Sequence, residues 1–184
     1  MPVIDKSSFD PLLLEKAALV RMLVLDVDGV LTDGRLYFDN SGNEMKAFST
    51  RDGLGMRSLQ ACGIELALIT GRQSEIVKRR AEQLGITHVY QGSNDKLDAY
   101  LHLLGKTGME EQQVCYAGDD WIDLPVLQRA GLAVTVADAD QAVRDSVHWV
   151  TSREGGKGAV REICNLILAA QGHDRKVFDE ILNP

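Results

Sequence analysis

Leu23-Val24-Leu25-Asp26-Val27-Asp28-Gly29-Val30-Leu31-Thr32 joins a short apolar run to two aspartates, one residue apart, and a glycine. The run, which begins at Met22, predicts a buried strand over 22–27. Gly29 predicts the loop that ends it. In a doubly wound sheet, ligands bind beyond the carboxyl ends of the strands, so Asp26 and Asp28 belong at the mouth of a site. The plain alternative is two solvated acids on a surface loop. It fits poorly, because a buried run gives little reason to set two charges at its end without a partner.

Upstream, Asp10 and Pro11 open a short helix that runs to Val20, as N-cap and first helical residue. Downstream, Arg35 to Phe48 reads as a β-hairpin around Asn40-Ser41-Gly42-Asn43. A lone hairpin is marginal in water and its exposed edges invite pairing. An oligomer contact is expected there, although a hairpin folded back on its own domain fits the same residues. Ser49, Thr50, Arg51, Asp52 and Gly53 read as a polar loop, and a helix follows to Ala61. Strands are expected at 64–69, 86–90, 114–117, 132–136 and 148–150. Helices are expected at 74–84, 95–104, 122–130 and 139–145, and from the Gly155-Gly156-Lys157-Gly158 run to about 170. The tail, 171–184, is weak in apolar residues and is expected to be loosely ordered. Alternation of strand and helix from residue 52 onward is the pattern of a parallel sheet covered on both faces. The expected fold is α/β, one domain over 1–184, doubly wound around a mostly parallel sheet with the hairpin inserted after the first strand.

The 184 residues suffice for one compact domain, and 45% hydrophobic with 26% charged residues is ordinary for a soluble globule. A net charge of −7 argues against a general nucleic-acid binder; an anionic substrate needs only a local positive site. Cys62, Cys115 and Cys164 sit in apolar contexts without metal-like spacing and read as reduced thiols of a cytoplasmic protein. The first ten residues lack an apolar core of signal-peptide length, and no apolar run approaches a membrane span.

Three strands end in the same kind of punctuation: Asp26-Val27-Asp28-Gly29, Thr70-Gly71-Arg72 and Gly118-Asp119-Asp120. Lys96 stands at a loop-to-helix boundary. Parallel topology brings these ends to one edge of the sheet. Clustered carboxylates repel unless a cation sits among them, and oxygen-only ligands of this kind suit Mg2+. A metal on one side, with the Thr70 hydroxyl and Lys96 ammonium on the other, fits a phosphate. A carboxylate can attack phosphorus to form an aspartyl-phosphate, and a second carboxyl can protonate the leaving oxygen and then activate water. Asp26 and Asp28 are the obvious pair.

Asp26-Val27-Asp28-Gly29-Val30, Thr70, Lys96 and Gly118-Asp119-Asp120-x-x-Asp123 resemble, in order, the four motifs of the haloacid-dehalogenase superfamily of phosphatases. The resemblance implies Asp26 as nucleophile and Asp28 as general acid and base. It implies Mg2+ held by the Asp26 carboxylate, the Asp28 backbone carbonyl and Asp119. Thr70 and Lys96 would bind the phosphoryl group, and Asp120 and Asp123 would support the metal's outer shell; Asp120 also reads as a helix cap. The spans 29–52 and 71–95 are too short for a separate cap domain, so a large substrate or a neighbouring subunit must cover the site. The whole chain is similar to the 3-deoxy-D-manno-octulosonate 8-phosphate phosphatase family. The matching stretches include Lys46-Ala47-Phe48-Ser49-Thr50-Arg51-Asp52-Gly53, Ile69-Thr70-Gly71-Arg72 and Gly155-Gly156-Lys157-Gly158-Ala159-Val160-Arg161-Glu162. That similarity implies a phosphoric monoester hydrolase on the route to lipopolysaccharide and a homotetramer whose hairpins meet at its centre. Its sugar substrate carries a carboxylate, to which arginines are suited. Arg57, Arg72 and Arg80 are the candidates; Arg72 and Arg80, with Ile76 between, are spaced to share one helix face. The stretch 49–53 matches a substrate loop, and Lys157 stands where some relatives carry Arg. A nine-carbon sugar-acid phosphatase and a non-catalytic assembly domain are the competing readings.

Overall fold

In the computed structural model, which describes residues 4–183, the apolar run forms β1 (Met22–Leu25), with all four residues buried. β4 (Glu65–Ile69) and β6 (Val114–Ala117) flank it, both parallel and in step: Leu25 lies opposite Leu68 on one side and Ala117 on the other. β5 (His88–Tyr90) extends the sheet beyond β4, and β7 (Leu132–Thr135) and β8 (Trp149–Val150) extend it beyond β6. The order is β5-β4-β1-β6-β7-β8, with every pairing parallel. The shared register ends three strands at one level. Asp26, Thr70 and Gly118 therefore follow β1, β4 and β6 along one edge.

Strand alternation divides the core. One face carries Leu23, Leu25, Leu66, Leu68, Cys115 and Ala117. It packs against α1 (Pro11–Leu19), α2 (Thr50–Ala61), α3 (Glu75–Gln83) and α7 (Ala159–Ala170). The other face carries Met22, Val24, Ala67, Ile69, Val114 and Tyr116. It packs against α4 (Lys96–Thr107), α5 (Leu124–Leu127) and α6 (Gln141–Arg144). The expected α1 cap is present, with Asp10 accepting from the N–H groups of Leu12 and Leu13. The hairpin forms from β2 (Tyr37–Phe38) and β3 (Glu44–Met45). Leu36, Tyr37, Phe38 and Met45 are exposed on it.

Three expectations are corrected. Residues 49–53 are not a loop. Ser49 caps α2 by accepting from the Asp52 N–H, so Thr50, Arg51, Asp52 and Gly53 form its first turn. The pattern Ser-x-x-Asp carries that capping signal, and the two glycines of α2 mask it. Gly53 and Gly55 are tolerated because a side chain at either would strike a neighbour: Arg80 at the first, Arg161 and Cys164 at the second. Arg72 lies in the bend before α3 rather than on it, so it shares no helix face with Arg80. The tail is helical as α8 (Asp174–Leu182), up to Pro184, which lies outside the described residues. Pairs at i,i+4 (Arg175–Asp179 and Lys176–Glu180) support it, and Val177 packs on the core.

Candidate active site

A cavity of about 240 Å3 opens at the carboxyl edge of the sheet, lined by Asp26, Asp28, Thr70, Lys96, Asp119 and the Gly71–Arg72 bend, with Gly34, Asp120 and Ile122 at its rim. Each lining side chain owes its place to a strand end or a helix start. Asp26 continues β1, its N–H bonded to the Ala117 carbonyl at 2.9 Å. Thr70 continues β4, its N–H bonded to the Tyr90 carbonyl at 2.9 Å. Lys96 is the first residue of α4, behind the cap Asp95.

Lys96 is buried, and its Nζ lies 3.0 Å from Asp26 Oδ1 and 2.7 Å from Asp123 Oδ1. Burial would lower its pKa, but the two carboxylates outweigh that and hold it above the ordinary lysine value. Asp123 is fully buried and fully engaged. Oδ1 also accepts from the Tyr116 hydroxyl at 2.6 Å, and Oδ2 accepts from the N–H groups of Asp119 at 3.1 Å and Asp120 at 3.2 Å. Its work is to aim Lys96 and to fix the backbone that carries Asp119. Asp120 is exposed at the rim and caps the Trp121–Asp123 turn.

Asp119 is different. Its Oδ1 is buried without a hydrogen-bond partner. Burial first, then Asp26 and Asp123, pushes its carboxyl up to about 8. Burial also raises Asp26, to about 7, against the pull of Lys96. Oxygens of Asp26, Asp119 and Asp123 lie within 4.8 Å of one another. Buried carboxylates that repel, one with an orphaned oxygen, are the donor set of a hard divalent cation. Since Asp123 has spent both oxygens, Asp26 and Asp119 are the pair free to hold it. Two glycines permit this approach. A Cβ on Gly29 (φ +94°) would sit 2.0 Å from Asp119 Oδ2, and one on Gly118 would sit 2.2 Å from the Asp123 carboxyl carbon.

Asp28 sits in the wall, and the buried ammonium of Lys46, just after β3, pairs with its Oδ1. Glu44, two residues earlier, lies 3.3 Å from Lys46 and 3.4 Å from Arg72, and accepts from Ser74 Oγ at 2.7 Å. The Ser74 bond, helped by Lys46, holds the Glu44 carboxyl below its usual range. Sequence reading missed Glu44, Lys46, Ser74 and Tyr116. A signal for the first two exists: residues two apart on a strand share a face, and here that face carries Glu and Lys opposite the exposed Met45.

The other expected substrate residues lie elsewhere. Ser49, Thr50, Arg51, Asp52 and Gly53 line no part of the cavity. Asp52 is buried and accepts from the Arg161 N–H at 2.7 Å, joining α2 to α7. Arg80 stands over the Phe48 ring at 5.6 Å and donates to the Ser49 carbonyl at 3.4 Å. Arg57 is exposed on α2, and Lys157 is exposed and paired with Glu154.

Residues 85–163 match the model of the haloacid dehalogenase-like hydrolases. Over 158 residues the chain is 51% identical to the 3-deoxy-D-manno-octulosonate 8-phosphate phosphatase of Yersinia pestis, covering 86% of this chain and 84% of the relative. The chain belongs to the family of these phosphatases. Its fold matches the Yersinia pestis crystal structure with a TM-score of 0.89 and 48% identity, covering 90% of this chain and 89% of the other. It also matches the structure of the 3-deoxy-D-manno-octulosonate 8-phosphate phosphatase from Moraxella catarrhalis in complex with magnesium ion, phosphate ion and a KDO molecule. That match has a TM-score of 0.90 and 41% identity, over 92% of this chain and 97% of the other. The fold expected from the first strand, a parallel α/β sheet without a cap domain, is the fold of this family.

Proposed function

We propose that this chain is a Mg2+-dependent phosphatase that releases phosphate from 3-deoxy-D-manno-octulosonate 8-phosphate, on the route to lipopolysaccharide. The observation that carries the reading is the single cavity that holds Asp26, Asp28, Thr70, Lys96 and Asp119 together. Family membership supplies the substrate.

Asp26 attacks phosphorus. Its carboxylate oxygen bonds to phosphorus as the bond from phosphorus to the sugar oxygen breaks, and Asp28 gives its proton to that oxygen. Asp28, now a carboxylate, takes a proton from the water that next attacks the phosphoryl group. Phosphate leaves, and the Asp26 carboxylate is restored. Thr70 and Lys96 hold the phosphoryl oxygens, and Lys96 also offsets the charge on Asp26. Asp26, Asp119 and the Asp28 backbone carbonyl would hold Mg2+, which would supply positive charge beside the transferring group. Asp123 and Asp120 serve that centre indirectly, the first through Lys96 and the Asp119 backbone. Arg72, half-exposed at the cavity, is the arginine this chain offers to the sugar carboxylate.

The cavity is open and no cap covers it, so the working form is an oligomer, a homotetramer as in the resemblance drawn from sequence. In it the hairpin is an interface, and Arg57, Arg80 and the exposed Thr50 and Arg51 of the 49–53 turn act on a neighbour's substrate. The described residues include no helix long and apolar enough to cross a membrane. The three cysteines are unpaired, which supports a cytoplasmic location.

Phosphate release should be followed for this substrate, a nine-carbon keto-sugar acid phosphate and glucose 6-phosphate, each with Mg2+ and with EDTA. Selective, EDTA-sensitive turnover of the first is expected. Equal, weak turnover of all three would overturn the substrate, and no turnover despite bound Mg2+ would overturn the enzyme.

A further inference from the structure

Lys46 is a charge without solvent. Its side chain is 1% exposed, it sits on the hairpin rather than on the sheet, and it contacts one oxygen of Asp28, Oδ1. Asp28 is 19% exposed and forms part of the cavity wall. An ammonium has three donor hydrogens and no acceptor. The oxygen it meets must therefore accept, and since the carbonyl-type oxygen of a carboxyl is the better acceptor, a proton carried by Asp28 is favoured on the other oxygen, Oδ2.

Lys46 is itself held in place. Glu44, 3.3 Å from it, is anchored by Ser74 Oγ at 2.7 Å and by Arg72 at 3.4 Å. Ser74 stands immediately before α3 and its hydroxyl donates to Glu44 rather than capping the helix, so the base of the hairpin is tied to the same strand-to-helix bend that lines the cavity. A buried charge on a small peripheral element is costly unless it is paired.

We propose that Lys46 is a positioning residue for the reaction: by occupying Asp28 Oδ1, it directs the proton-bearing Oδ2 toward the leaving sugar oxygen. Glu44 and Ser74 keep Lys46 on that line. The inference rests on the role given to Asp28 above. In the first half-reaction the proton on Oδ2 passes to the sugar oxygen as its bond to phosphorus breaks. In the second, Oδ2 takes a proton from the attacking water. Lys46 keeps all its protons throughout.

The consequence depends on the leaving group. A sugar alkoxide leaves poorly without a proton, and 4-nitrophenolate leaves well without one. Lys46→Met should therefore lower kcat for the sugar phosphate by ~10²-fold, the cost of a misplaced catalytic group, with KM little changed. The burst of 4-nitrophenolate release, which reports formation of the aspartyl-phosphate before Asp28 acts as base, should slow by less than ~10-fold, because proton donation contributes little to that step, whereas the same first step on the sugar phosphate carries the full loss. Lys46→Arg should restore much of the loss, and Lys46→Met in an Asp28→Asn background should cost nothing further. Glu44→Gln, which keeps Lys46, should reproduce the same selectivity more weakly and stands in if Lys46→Met does not fold. Equal losses in the first step on both esters would make Lys46 merely structural and overturn the proposal, as would wild-type rates in Lys46→Met. If Asp28→Asn itself failed to discriminate between the esters, the assignment of Asp28 would fall instead.

Discussion

Lys96 joins two carboxylates that would otherwise repel, Asp26 at 3.0 Å and Asp123 at 2.7 Å, with neither Lys96 nor Asp123 exposed at all. Removing one member of a buried pair leaves its partner's charge uncompensated. Lys96→Met should lower stability by about 3–5 kcal/mol, read from urea unfolding, and should abolish phosphate release. Adding Asp123→Asn should recover part of that stability and none of the activity, because the ammonium proposed to bind the phosphoryl group stays absent. Recovery of turnover would show that Lys96 serves only the fold. Asp119 makes the opposite case. Its carboxylate faces Asp26 and Asp123 with one oxygen unpartnered. Without metal, Asp119→Asn should be at least as stable as the wild type, since it removes a buried repulsion. Mg2+ at a hundred times its dissociation constant should stabilise the wild type by about 2.7 kcal/mol and leave the variant's melting temperature nearly unchanged. An equal shift in both would exclude Asp119 as a ligand.

The loop after β1 is held by a second loop. Gly155 packs so close that a Cβ there would lie 1.7 Å from the Gly29 carbonyl oxygen and 3.0 Å from that of Thr32, and the Gly156 N–H donates to the Val30 carbonyl at 3.0 Å. Gly155 lines no part of the cavity, yet Gly155→Ala must push the segment that carries Asp28. The expected result is a loss of about 1–3 kcal/mol of stability, the usual cost of overpacking, with a fall in kcat that Mg2+ does not rescue. Unchanged kinetics would show that the nucleophile loop keeps its place without this contact. The run of glycines was legible in the sequence as the opening of α7, but its contact with residues 29–32 was not. Likewise, Ser49 and Asp52 looked like loop residues because their partners, the α2 cap and the Arg161 N–H, exist only once the helices form.

The molecule leaves an apolar surface on its hairpin: Leu36 and Tyr37 are half-exposed, and Phe38 and Met45 more so. A two-stranded sheet gains little stability alone, and such residues are common at interfaces. In the proposed homotetramer they would be covered. Phe38→Asp should shift the sedimentation coefficient to a smaller species, with loss of sugar-phosphate turnover if a neighbour completes the site. An unchanged wild-type oligomer would exclude the hairpin as its interface. The hairpin also bears Lys46, so the proposed interface and the proposed setting of Asp28 would share one element.

The residues that line the cavity were legible in the sequence because most of them adjoin strand ends. Asp26, Thr70 and the Gly118-Asp119 pair each follow an apolar run, and parallel strands bring such ends to one edge whatever the loops do. The sequence could not say which carboxylate is left for a metal. Asp119 and Asp123 are alike in type, and only burial beside Tyr116, Lys96 and two backbone N–H groups exhausts the second. Nor could it show the pairing of Lys46 with Asp28, 18 residues apart, or of Asp52 with the Arg161 N–H, 109 apart. Those contacts arise when separate elements pack, where the cost of burying a polar group selects its partner.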